Sequence, residues 1–463
     1  MNLTVRRFVI CVAAVLVGPA AWAQTQTKTP SQTLLQLYDT AHDYDAAYHS
    51  AQAQVRASQA QADQARAGLL PQLALQAEAQ RNYLDINLDE AVPGIPSNSV
   101  GTPYGINTAG LNGTQPLYRP ANLIAWRQGR KQAELAQTQL NGAEQDLIVR
   151  LSQAYFDVLA AEDALRYVGA LKTEVAHQLS AAKHNFKVGN ATITDSREAQ
   201  ARYDLATAQE IAAENDLHVK QLALDQLVGQ SGSQPRPLAQ PIVLPALQPN
   251  NAQSWVTLAM DQHPAVTQRR TALDIARMET AKARTGHLPT VDLQVSLGQA
   301  RYPDGNPSLS VTQTEPYAYH TNIASVAVAL NWPLFAGFAV SNRVRETLAL
   351  EDKARAELDD TQRSVSQATR AAFFGVQSGL SQVKALEAAE QSSLTALQAN
   401  QLGYKVGVRI NIDVLNAESQ LYQTKRDLAK ARYDVLLGLL RLKQASGGLT
   451  RTDLLSINQL LAN

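Results

Sequence analysis

Two aspartates are the first candidates for chemistry, Asp195 and Asp413, each placed six residues beyond the glycine of a Lys-Val-Gly triplet (195 − 189 and 413 − 407). The triplets are Lys187-Val188-Gly189 and Lys405-Val406-Gly407. A carboxylate just after a turn accepts from the free amides of a helix start, so on residue type alone both read as helix N-caps. His177 and His184, seven apart (184 − 177), can share a helical face, but a metal site needs more ligands and none converge on them. No nucleophile beside a base, no phosphate loop and no metal signature is visible, so an enzyme reading fails for want of a site. The chemistry on offer is noncovalent: caps, ion pairs and hydrogen bonds, with no cofactor implied.

The formal net charge is zero, from 41 basic and 41 acidic residues, and the basic ones are scattered. That leaves no electrostatic case for nucleic acid. Arg6-Arg7, the apolar run Phe8 to Val17 and Ala21-Trp22-Ala23 before Gln24 form an export signal over 1–23. Cys11, the single cysteine, lies inside the apolar run and not after a lipobox, so lipidation is disfavoured and the mature chain carries no thiol. No later segment has the ~20 consecutive apolar residues of a spanning helix.

The elements that must position the aspartates come in two copies. Lys187 recurs as Lys405 and Asp195 as Asp413, both 218 positions on (405 − 187 and 413 − 195). At the same offset Ala154-Tyr155-Phe156 recurs as Ala372-Phe373-Phe374, and Gly68-x-Leu70-Pro71 as Gly286-x-Leu288-Pro289. A repeat of this length is a tandem duplication, not a solenoid unit. The boundaries expected are a first repeat over 24–230, a linker over 231–252, a second repeat over 253–446 and a tail over 447–463.

Between Pro120 and Pro235, and from Pro333 to the end, no proline interrupts residues of low helix cost. Leu147, Leu151, Ala154, Val158, Ala161 and Leu165 trace a coiled-coil seam, repeated in part by Val365, Ala372, Val376 and Val383. A helix from Pro120 to the first Lys-Val-Gly break would reach roughly 100 Å, so these helices must pack along one another.

Four short stretches switch to period two. Leu73, Leu75, Ala77 and Ala79 alternate with polar residues, as do Val291, Leu293, Val295 and Leu297; further runs cover Tyr104 to Tyr118 and Thr321 to Phe335, with alternation broken near Ala324-Ser325. Turn-rich loops are expected over Val92 to Gly105 and Pro303 to Pro316. Two hairpins would leave an open sheet with one apolar face and two bare edges, which lipid does not tolerate, so copies must close a barrel together. Tyr83, Tyr118, Tyr302, Trp332 and Phe335 stand near strand ends, where a membrane aromatic girdle would sit; core packing is their other reading.

The ordered set resembles the TolC family of outer-membrane efflux and type I secretion channels, in its non-lipidated branch. The resemblance rests on the duplication, on Gln115-Pro116-Leu117-Tyr118 and Trp332-Pro333-Leu334-Phe335, on the tips Phe186 to Asp195 and Gly403 to Ala417, and on Ala431-Arg432-Tyr433-Asp434. It implies a mainly α fold with a membrane β part. Each protomer of a trimeric channel-tunnel would give four strands to a shared outer-membrane barrel and long helices to a periplasmic coiled-coil α-barrel. It implies passive conduction of drugs, small molecules or unfolded proteins, with a periplasmic adaptor and an inner-membrane transporter of the RND, MFS or ABC kind as partners. It also implies a gate: Thr194, Asp195, Tyr404 and Arg409 match positions that link neighbouring tips, and Asp413 matches a carboxylate lining the constriction. Asn416 departs from relatives with a second aspartate there, so one carboxylate layer and weaker cation selectivity are expected. Without the resemblance, Arg409 is a solvated charge and Tyr404 packs at the tip. A periplasmic helical-hairpin adaptor is the alternative, but it lacks duplicated amphipathic strands.

Overall fold

The computed structural model describes residues 31–87, 90, 99–189, 191–305 and 317–462. The expected export signal with Cys11, and most of both expected loops (91–98 and 306–316), lie outside the described residues. In chain order the elements are α1 (Leu34–Tyr44), α2 (Ala46–Ala67), β1 (Gln72–Asn87), β2 (Ser99–Tyr118), α3 (Pro120–Lys187), α4 (Ile193–Val228), α5 (Ala252–Gln262), α6 (Pro264–Arg284), β3 (Thr290–Tyr302), β4 (Tyr319–Asn331), α7 (Ala339–Lys405), α8 (Asn411–Ala445) and α9 (Arg451–Asn458).

The two long helices, α3 with 68 residues and α7 with 67, are each about 100 Å long at ~1.5 Å per residue. Pro120 opens α3 at its first position, where a missing amide costs nothing. The second copy does not begin at Pro333. Gly337 (φ 57°) and Phe338 (φ 65°) are both left-handed, and α7 starts only at Ala339. A bulky residue at positive φ must be held by its surroundings, and Phe338 packs edge-on to Phe335 at 5.5 Å.

Both long helices stop in the same way. Val188 and Gly189 donate to the carbonyls of His184 and Phe186 at 3.2 and 3.1 Å, and Val406 and Gly407 donate to those of Leu402 and Tyr404 at 3.2 and 3.1 Å. Gly189 and Gly407 have φ 82° and 80°. A Cβ at either would meet nothing within 4 Å, so the left-handed backbone, not lack of room, calls for glycine.

The strands form one antiparallel sheet in the order β1-β2-β3-β4, which leaves β1 and β4 as edges. Register aligns Leu75, Leu111, Leu297 and Ala324 in one row and Leu73, Gly113, Val295 and Val326 in the next, a continuous apolar face. Side chains of opposite parity make the polar face, where Asn112 donates to Gln76 at 2.8 Å and Ser296 to Asn112 at 2.9 Å. Pairing runs unbroken through Ala324-Ser325, and the alternation of bulky residues lapses there as expected: Ile323 takes the polar face, whereas Val326, Val328 and Leu330 take the apolar one. Residues 99–105, expected as loop, belong to β2, with Pro103 opposite Tyr83 and Gly105 opposite Arg81. A bulge between Pro116 and Tyr118 sets Tyr118 opposite Val291. Pro116 falls at that irregularity, where a lost ladder bond is tolerated.

The largest apolar core is a band around the middle of the helices. Leu34, Leu37 and Tyr38 of α1, Tyr155 and Phe156 of α3, Leu224 of α4, Leu436 of α8 and Leu454 of α9 meet there. Bridges join Gln32 to Pro235 and Leu238 to Leu461, and Tyr155 donates to the carbonyl of Arg236 at 2.7 Å. The α3 seam from Leu147 to Ala161 is buried and Leu165 partly so; in α7, Val365, Val376 and Val383 are buried and Ala372 partly so.

Candidate gate at the hairpin tips

Thr192 is the N-cap of α4 and forms a reciprocal box with Asp195. The Asp195 amide donates to the Thr192 hydroxyl at 3.3 Å, while the Thr192 amide and hydroxyl donate to the Asp195 carboxylate at 3.0 and 2.8 Å. In the second copy the N-cap is Ile410, which has no side-chain acceptor. Asp413 keeps only its amide bond to the Ile410 carbonyl, 3.1 Å. Both aspartates are therefore third residues of their helices and not N-caps, as residue type alone suggested.

The Asp413 carboxylate instead faces Arg409 at 3.6 Å. Both line a groove of about 580 Å³ with Asn416, Ser393, Asn400 and Gln420. Asn416 accepts from the Arg202 guanidinium of α4 at 2.6 Å, a direct link between the two hairpins of one chain. Tyr404 is half-buried against Leu397, Val414 and Leu421. Thr194 is exposed beside Asp195, and the hydrogen bonds of the Asp195 carboxylate go to Thr192. Arg409, Asp413 and Asn416 thus come together within the chain, whereas Thr194 and Asp195 stay with their own helix start. The turn residues Lys187, Val188, Lys405 and Val406 are exposed at the two tips.

Of the aromatic candidates, Tyr83 and Trp332 are exposed with the parity of the apolar face, and the bulge gives Tyr118 that face too. Trp332 and the exposed Phe335 lie beyond the last residue of β4, and the Trp332 indole donates to the His287 carbonyl at 3.1 Å. Tyr302 departs from the expected girdle: its register with Tyr319, with the rings stacked at 4.6 Å, puts it on the polar face. At the other end of the sheet Arg119, just before α3, grips Asp292 of β3 through two bonds of 2.7 and 2.6 Å.

His177 and His184 are exposed, and among the described residues no three ligating side chains cluster. Three polar residues matter at the tips that sequence reasoning passed over: Arg202, Asn411 and Glu418. The last two sit buried on the α8 seam with Val414 and Leu415. The signal for them was present, because a heptad traced back along α8 from Leu421 and Leu428 puts Glu418 and Asn411 on the apolar side.

A family profile for outer membrane efflux proteins matches residues 37–230 and again residues 255–448. The second match is displaced from the first by 218 residues (255 − 37 and 448 − 230), the offset at which the tips repeat. The outer membrane protein TolC of Vibrio cholerae is 30% identical over 428 residues, 92% of this chain and 93% of that protein. The alkaline protease secretion protein AprF of Pseudomonas aeruginosa is 30% identical over 391 residues, 84% of this chain and 79% of that protein. The crystal structure of the outer membrane protein VceC from Vibrio cholerae superposes with a TM-score of 0.74 at 19% identity, over 90% of this chain and 96% of that one, which extends the likeness to the fold. Matched once in each half, the chain belongs to the outer membrane efflux protein family and is an outer-membrane channel with a periplasmic extension.

Proposed function

We propose that three copies of this chain close into one exit duct, sealed at rest by the hairpin tips and opened by an inner-membrane transporter with its periplasmic adaptor. The observation that carries this reading is the sheet: four strands with one unbroken apolar face and two bare edges. In lipid every edge amide must be paired, so the sheet is complete only as part of a closed hoop. Three copies supply twelve strands, an even number within the range of bacterial barrels. Tyr83, Tyr118, Trp332 and Phe335 would meet the lipid interfaces, and Asp292, Gln294 and Ser296 the lumen.

The gate we assign to Arg409, Asp413, Asn416 and Tyr404, with Thr194 and Asp195 as acceptors for the neighbouring protomer. Arg409 is exposed enough to exchange Asp413 for a carboxylate across the interface, and charge-assisted bonds are the stronger kind. The two repeats would form the wall, and 231–252 with 447–463 the belt around it. The cargo class follows the relatives: one is named for protease secretion and the family for efflux, so proteins and small efflux substrates are both in range.

The test is conductance in a planar lipid bilayer. The full chain should insert as a trimer resistant to mild detergent and conduct weakly, and replacing Arg409 by Ser and Tyr404 by Phe should raise conductance several-fold. A monomer in detergent would sink the duct, and unchanged conductance in the double variant would retire the gate.

A further inference from the structure

The seam of α8 changes character towards the tip. Asn411 and Glu418, both 1% exposed, are two turns apart on one face, with Val414 and Leu415 fully buried between them. Among the described residues four buried side-chain atoms lack a hydrogen-bond partner: both polar atoms of Asn411, Oε2 of Glu418 and Nε of Arg432. Three of the four lie on these two seam positions. This burial is that of a lone protomer, and assembly can only deepen it.

Glu418 is enclosed by both hairpins. From α3 come Gln178, whose amide reaches Oε1 at 3.5 Å, and the anionic Glu174; from α7 comes Gln401; from α8 itself comes Tyr422. No lysine or arginine among the described residues lies within ion-pair distance of it. Arg202 of α4 and Lys425 of α8 are engaged elsewhere, the first with Asn416 and the second over the Tyr422 ring at 5.7 Å.

We propose that Glu418 is a proton-operated latch: while its carboxyl is neutral α8 stays packed on α3, and loss of the proton drives the inner tip away from the outer one. A neutral carboxyl can donate to one glutamine oxygen and accept from the other amide, filling the orphaned position. The carboxylate can only accept, and an unpaired buried charge is the costlier state. Burial pushes the Glu418 carboxyl above the usual range, the negative Glu174 adds to this, and the two glutamines oppose it without reversing it. The sign follows: a group whose value is raised in the packed state lends that state its full strength in acid and withdraws it as pH rises through the raised value. This inference rests on the gated-duct reading.

The experiment follows conductance of the full-length trimer in a planar bilayer from mildly acid to mildly alkaline pH, alongside amide exchange of residues 411–422 in detergent. The parent should open with rising pH, the closed-to-open ratio falling by up to about tenfold per pH unit for each carboxyl that titrates. Glu418→Gln, which keeps the shape and cannot ionise, should hold the parent's acid-side conductance and exchange protection throughout. A conducting parent with no step, or a step that survives in Glu418→Gln, overturns the latch and leaves the duct intact. A parent that never conducts removes the duct, while the exchange data still judge the latch: pH-independent protection of 411–422 in the parent would overturn it.

Discussion

The two halves of the chain are copies in outline and unequal in how completely each satisfies itself. At the tips the contrast turns on two neighbouring residues: Ala191 and Thr192 in the first half are Arg409 and Ile410 in the second (409 − 191 and 410 − 192, both 218). Thr192 ties up Asp195, and Ile410 leaves Asp413 to Arg409. At the strand-to-helix junction Arg119 and Pro120 correspond to Gly337 and Phe338. The first pair clamps β3 and opens a helix at once, and the second makes a left-handed turn. In mid-helix, α3 buries both Tyr155 and Phe156, whereas α7 buries Phe373 and leaves Phe374 56% exposed. Over their whole lengths α3 buries sixteen residues and α7 seven. In the partner helices the balance reverses, with five buried residues in α4 and fifteen in α8. Within the chain α3 and α8 are therefore the anchored pair, and α7 keeps its side chains free for neighbours or for movement.

The comparison is most exposed at the aromatic pairs. Phe156, 2% exposed and stacked on Tyr433 at 5.8 Å, should lose about 3–5 kcal/mol on truncation to Ala, read as the denaturant midpoint of the protein. Phe374→Ala should leave that midpoint nearly unchanged and act, if anywhere, on the dissociation of the proposed trimer. Equal midpoint losses would erase the distinction between α3 and α7. Next is the junction clamp. Asp292→Asn should cost about 2 kcal/mol by the same measurement, because it removes a charge-assisted pair whose acceptor is 7% exposed. Ala74, its counterpart in the first repeat (292 − 218), has no such bond to lose. The smallest effect is the most pointed. Thr192→Ile should cost the start of α4 about 1 kcal/mol, and Ile410→Thr should add a similar amount to α8 by drawing Asp413 into a box. Faster amide exchange at 193–196 and slower exchange at 411–414 would report the two, and the second variant should also lose cation selectivity.

Much of this architecture is legible before any coordinates. The Lys-Val-Gly turns, the helix lengths and the apolar parity of the strands depend on local rules: left-handed backbone at glycine, low helix cost and alternation. The errors fall where partners decide. Gly101, Pro103 and Gly105 have the composition of a loop, yet pairing with β1 holds them in strand. Gly337 and Phe338 delay a helix that Pro333 announced. Tyr302 reads as one more interfacial aromatic until register counts it onto the polar face. At the gate, Asp195 and Asp413 are plain to see, but their difference lies in the caps before them. Arg202 and Glu418 acquire meaning only when it is known which helices face each other.

The bare edges have a genetic corollary. If every hoop takes its seams from β1 of one subunit and β4 of the next, a copy unable to pair at either strand spoils each assembly it joins. In a cell making sound and edge-defective copies in equal amounts, random assembly of the proposed trimer would leave roughly one in eight wholly sound. Such alleles would be dominant, and far more harmful than their share of the pool.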